Sequence, residues 1–124
     1  MTAIYHYWIS HRPHRRAQIT QGRDATERIN GVTAFTGQSL KGPEGSVAFL
    51  RVADTAVDYD EKTNEEVSAA GRSQGIALRF GKGKVVVVGE AAMFTAQVTG
   101  SNKLKFGMNR EGNDDKQPAL NVTH

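Results

Sequence analysis

The apolar run Val85-Val86-Val87-Val88 shows no alternation of apolar and polar positions. Such a run reads as a strand buried on both faces, the pattern of a central parallel strand covered by helices. The segment before it does alternate, with Ile76, Leu78 and Phe80 on one side and Ala77 and Arg79 on the other, which predicts a half-buried strand. Gly81-Lys82-Gly83 supplies a tight turn between the two, so residues 75–89 are expected to form an antiparallel hairpin with strands near 75–80 and 84–89. After Gly89 the composition changes to Glu90-Ala91-Ala92-Met93-Phe94-Thr95-Ala96-Gln97-Val98, which favours a short helix over 90–98 closed near Gly100. Strand, glycine, acid and helix together make a strand-to-helix elbow.

Upstream, Val32 to Thr36 and Ser46 to Val52 read as further strands. Asp24 followed three residues later by Glu27 is a helix start, predicting a short helix near 24–30. Asp115 is placed to cap a last helix near 115–123, after a turn-rich stretch from Gly107 to Asp115. Residues 53–72 are polar, acidic and weakly periodic, and are expected as a mobile loop. The elements sum to an α/β fold, a partial doubly wound mixed sheet with short helices, in one domain over residues 1–124 with an N-terminal arm at 1–16.

Composition narrows the class. The apolar fraction is 38%, and the 13 glycines bring it near half, the range of a chain that buries a core. The absence of cysteine removes disulfides, thiolate metal sites and a cysteine nucleophile. No apolar stretch approaches the roughly 20 residues of a membrane span, and the N-terminus lacks the apolar segment of a secretion signal, so a cytoplasmic location is expected. The net charge of +3 conceals segregation. Arginines dominate residues 1–30, six acids against Lys62 occupy 54–70, and six bases against Glu90 occupy 71–106. The acidic stretch therefore has basic neighbours to pack against, within the chain or in a second copy.

Candidate chemistry is sparse. His6, His11 and His14 lie beside Arg12, Arg15 and Arg16, whose charges oppose a cation, and Pro13 interrupts any helix that would align the imidazoles, so no metal is expected. Glu90 stands where open α/β sheets bind ligands, beyond the carboxyl end of a strand, with Gln97, Asn109 and Arg110 as polar neighbours of a possible ligand site. The same position suits a carboxylate that merely caps the following turn. Asn109, Asn113, Asp114 and Asp115 lack the spacing of a calcium loop, and Gly81-Lys82-Gly83-Lys84 precedes a strand, unlike a phosphate loop. No catalytic residue and no cofactor is assigned.

The run AAGRSQGIALRFGKGKVVVVGEAAMF, with Ile19-Thr20-Gln21-Gly22-Arg23, Glu27-Arg28-Ile29, Phe35-Thr36-Gly37-Gln38-Ser39-Leu40 and Phe106-Gly107-Met108-Asn109, resembles an uncharacterised bacterial family with the class I glutamine amidotransferase-like, flavodoxin-type fold. Asp114, Gln117, Leu120-Asn121 and His124 look like that family's closing loop and helix. The resemblance covers roughly residues 17–124 and implies the C-terminal half of such a domain, without the units that carry a nucleophile elbow. With no Cys, and no His-x-Glu arrangement at Glu90, glutamine hydrolysis is not expected.

Three functions follow as expectations. The first is a non-catalytic α/β domain that self-associates as a homodimer, covering a strand edge with help from Tyr5, Tyr7, Trp8 and Ile9. The second is a polar or sugar-like small-molecule site at Glu90. The third, least supported by a surplus of only three positive charges, is weak nucleic-acid binding through the basic arm.

Overall fold

The computed structural model describes residues 5–8, 18–34 and 37–123. The expectations placed on Ile9, on the basic run 11–16, on Phe35 and Thr36 and on His124 lie outside the described residues. The elements are β1 (Tyr5–Trp8), α1 (Gln18–Gln21), a 3₁₀ turn (Ala25–Glu27), β2 (Gly31–Ala34), β3 (Val47–Arg51), β4 (Val57–Asp60), β5 (Glu65–Ser68), β6 (Ser73–Phe80), β7 (Gly83–Val88), a second 3₁₀ turn (Ala92–Phe94), β8 (Ala96–Thr99), β9 (Leu104–Gly107) and α2 (Lys116–Val122). β3, β6 and β7 form a three-stranded sheet in that order, and β1-β2, β4-β5 and β8-β9 form two-stranded ladders. All of these pairings are antiparallel.

The core forms where one face of the β3-β6-β7 sheet meets β2 and the Ala92–Phe94 turn. Val32 and Ala34 of β2, Phe49 and Leu50 of β3, and Met93 are buried together, with Ala77, Val86 and Val88 packed against them from the sheet. Met93 is 1% exposed, and burying a side chain of that size stabilises by roughly 1.5–3 kcal/mol. The short helices are tied to the rest by polar bonds more than by apolar stripes. Asn121 of α2 donates to the carbonyls of Ile19 at 2.6 Å and Glu27 at 3.0 Å, and Gln117 donates to Asn121 Oδ1.

Strands near 32–36 and 46–52 and the last helix appear where expected, and the 75–89 hairpin forms with Phe80 opposite Gly83. Near 24–30 only one 3₁₀ turn forms; Asp24 accepts the Thr26 N–H as its cap, while Glu27 reaches back to the N–H of Arg23 and pairs with its guanidinium.

Three expectations are corrected. The valine strand is neither central nor parallel: β7 is an antiparallel edge, with Val86 and Val88 turned to the core and Val85 and Val87 left 39% and 38% exposed. A β-branched run fixes extended backbone whether or not both faces are covered. Residues 90–98 are not a helix. After one 3₁₀ turn, β-branched Thr95, Val98 and Thr99 favour the extended chain, and β8 pairs with β9 across a turn in which Gly100 and Lys103 take positive φ. Finally, the acidic 53–72 stretch carries the β4-β5 hairpin. Its turn is closed by the Asp60 side chain accepting the Lys62 N–H and by Asn64 at φ 61°, conformations that Asp and Asn tolerate best.

Candidate functional site

Gly89 ends the hairpin at a crowded crossing. Its N–H donates to the Gln74 carbonyl and its own carbonyl accepts from the Gln38 N–H, so the chain at 37–40 is laid across the end of β7. The next residue, Glu90, is 4% exposed. Its carboxylate accepts the N–H groups of Ala92 at 2.8 Å and Met93 at 3.1 Å, one on each oxygen. The side chain therefore satisfies the donors that open the Ala92–Phe94 turn, as expected of a cap. Burial raises its pKa, the two N–H bonds oppose that rise, and the charge of Asp115 adds to it.

Asp115 is the second buried acid, 1% exposed. It occupies the N-cap position of α2 but makes no capping bond there. Its side chain instead accepts the Thr33 N–H of β2 at 2.7 Å and the Asn113 amide at 2.9 Å. Burial pushes its pKa up to about 6, against the Thr33 and Asn113 bonds and the nearby Arg110 charge, with Asp114 pushing it further up. Asp114 accepts the N–H groups of Asn30 at 2.6 Å and Gly31 at 3.0 Å, while its own N–H donates to the Gly31 carbonyl. Two adjacent acids thus fasten the start of α2 to both ends of β2. Asp114→Ala is expected to lower the unfolding free energy by about 2 kcal/mol, because two bonds to a charged acceptor are lost; urea denaturation followed by circular dichroism measures it.

The other residues expected to share a ligand site are engaged differently. Gln97 is exposed on β8 opposite Phe106. Asn109 is half-buried in the turn after β9, with Oδ1 buried and without a hydrogen-bond partner among the described residues. Arg110 is half-buried and within electrostatic reach of Asp115. Three cavities among the described residues are lined by none of these side chains and not by Glu90. One of them, about 40 Å³, lies between Gly37, Ser39, Asp58, Arg72 and Gln74, whose buried Oε1 lacks a partner among the described residues; it has the size and polarity for ordered water. Among the described residues no group of His, Asp and Glu is arranged to hold a metal, and no helix is long and apolar enough to cross a membrane.

The most open chemistry lies on the β6-β7 hairpin. Register places Leu78 opposite Val85 and Ile76 opposite Val87, on the face of the sheet away from the core. Ile76 is buried, with Gly42 close to its side chain, but Val85, Val87 and Phe80, the last 76% exposed, form an apolar strip. Gly89 and Gln74 are a hydrogen-bonded pair, so the alternation of an antiparallel ladder turns the backbone groups of Lys84, Val86 and Val88 outward. The β-branched run specifies this strand, but apolar periodicity alone does not report whether a neighbour covers its valines. Tyr5, Tyr7 and Trp8 lie on β1, opposite Ala34, Val32 and Gly31 of β2.

No family model, curated protein or solved structure matches this chain.

Proposed function

We propose that the chain is a non-catalytic interaction domain that works as a homodimer, joined through the edge of β7, which pairs with no further strand among the described residues. The observation that carries this reading is the combination, on one strand, of outward-facing backbone groups and an exposed apolar face. Proteins that stay monomeric blunt such an edge with bulges, prolines or inward charges. The opposite edge of the same sheet is blunted: β3 departs from regular register on both sides of Leu50. β7 has six pairs in unbroken register and no proline. Within this sheet, one blunted edge and one flat edge favour a closed pair over an open fibre, since a two-fold contact consumes the flat edge of each copy. The engagement of both Glu90 oxygens by backbone N–H groups supports a non-catalytic role for the elbow.

Sedimentation equilibrium of the full chain across micromolar concentrations tests the proposal. Wild type is expected to dimerise, and Val85→Lys with Val87→Lys is expected to weaken the dimer by at least about thirtyfold, the effect of losing a central apolar contact. Both positions are exposed in the single chain, so the variant keeps its fold by circular dichroism. A wild-type monomer throughout the range overturns the reading.

A further inference from the structure

The two hairpins of opposite charge leave opposite ends of the central sheet. β6 runs from Ser73 to Phe80 and β7 returns from Gly83 to Val88, so the turn between them marks one end. This tip carries Arg79, Lys82 and Lys84, all exposed. The β4-β5 hairpin joins the other end, where Val52 and Arg72 are hydrogen-bonded just before β6 begins. It exposes Asp60, Glu61, Glu65 and Glu66, with Lys62 as the single base in its turn. Asp58 is already paired with Arg72, whereas Glu61, Glu65 and Glu66 have no ion pair among the described residues.

Resting on the β7 reading above, we infer that the second copy docks antiparallel, β7 against β7, so that the basic tip of each copy lies at the acidic-hairpin end of the other. Two arguments fix the arrangement. The outward-facing positions are Lys84, Val86 and Val88, and a two-fold axis at Val86 pairs Lys84 with Val88 of the second copy and uses the whole strand; an axis at Val85 or Val87 keeps the alternation but shortens the ladder, and one at either end position forfeits most of it. Charge selects direction. Parallel docking sets one basic tip beside the other and one acidic hairpin beside the other, whereas antiparallel docking sets each tip toward the opposite charge. The acidic hairpin, which contributes almost nothing to the core, then has a role as the electrostatic half of a composite interface. Its strands are exposed on both faces, which suits a solvent-facing arm better than a packing element.

Charge exchange tests the inference. Arg79→Glu with Lys82→Glu alters the tip, and Glu61→Lys with Glu65→Lys alters the hairpin; none of these four side chains has a hydrogen bond or ion pair described in the single chain. Sedimentation equilibrium at low salt is expected to show each pair of changes weakening the dimer by about tenfold or more, and all four together restoring it to within about threefold of wild type. At about 0.5 M NaCl the differences shrink, because screening acts within a few ångströms. A dimer that Val85→Lys with Val87→Lys disrupts, but that the fourfold exchange fails to restore, overturns the antiparallel charge pairing and leaves the β7 edge standing. An unchanged dimer in the tip variant overturns it as well. A wild-type monomer removes the β7 reading itself, so the two failures are distinguishable.

Discussion

Gly107→Ala is expected to lower the unfolding free energy by about 3 kcal/mol or more. Gly107 ends β9 with φ at 66°, in the left-handed region where a Cβ crowds the following carbonyl. Space makes the position worse. A Cβ there would stand 2.0 Å from the Thr95 carbonyl oxygen and 2.6 Å from that of Ala92. Neither oxygen is free to retreat, because Met108 donates to Thr95 O and Thr95 donates to Ala92 O. Relief therefore requires moving β9 away from the turn that carries Met93. Gly112→Ala isolates the conformational part, since Gly112 has φ at 83° but nothing within 4 Å of its added Cβ. That variant is expected to lose only about 1 kcal/mol. Urea denaturation of both gives the comparison; equal losses would show that the close approach to Thr95 carries no energy.

The contrast between these glycines illustrates what the sequence discloses. A glycine in a turn-rich stretch signals a permissive backbone, and both positions were expected in turns. Which of them is also a contact between two backbones depends on chain segments far apart in order, and no local pattern reports it. The valine strand makes the same point. Its β-branched run specified extended backbone correctly, yet the number of faces and edges covered is set by how many other strands arrive. For 90–98, helix-favouring Ala and Met outweighed the more telling pattern of Val98-Thr99, a Gly-Ser-Asn turn, and Leu104 beyond it, two strand formers flanking turn residues. The acidic hairpin was invisible to apolar periodicity because periodicity records burial, and β4 and β5 bury almost nothing. Its legible trace was turn chemistry, Asp60 and Asn64.

At the elbow, the sequence identified Glu90 and offered two roles, and the geometry assigns the carboxylate to backbone N–H groups. Asp115 was expected as a helix cap, the ordinary use of an acid before a helix. Its neighbour Asp114 and the Asn113 amide are held by a loop, and that arrangement turns Asp115 away from its own helix to the Thr33 N–H of β2. A bond between residues 82 positions apart has no local signature. That Asp115 lies near enough to Glu90 to raise its pKa slightly is likewise a product of the fold.

The burial of Asp115 leads to an unusual dependence of stability on pH. Asp115 has a folded-state pKa of about 6, raised by burial from an ordinary 3.8. A carboxyl with a raised pKa holds its proton more tightly folded than unfolded, so between these values the folded chain binds the extra proton and stability falls as pH rises. Above about pH 6 the penalty is constant, roughly 3 kcal/mol relative to acid, from about two pKa units at 1.36 kcal/mol each. Glu90 is shifted in the same direction and steepens the fall. Exposed Asp24 and Glu111 are shifted downward, and their contribution is lost only as pH drops below the ordinary carboxyl range, so they act at the acid limit of the window. The chain is therefore expected to be most stable near pH 4–5 and to weaken toward neutrality, opposite to the common acid denaturation of small domains. Asp115→Asn keeps an acceptor for the Thr33 N–H and cannot ionise, so its urea midpoint should vary much less between about pH 4 and about pH 7. The difference between the two profiles cancels the four histidines, which both proteins share. Parallel profiles for wild type and Asp115→Asn would remove Asp115 as the source of the dependence.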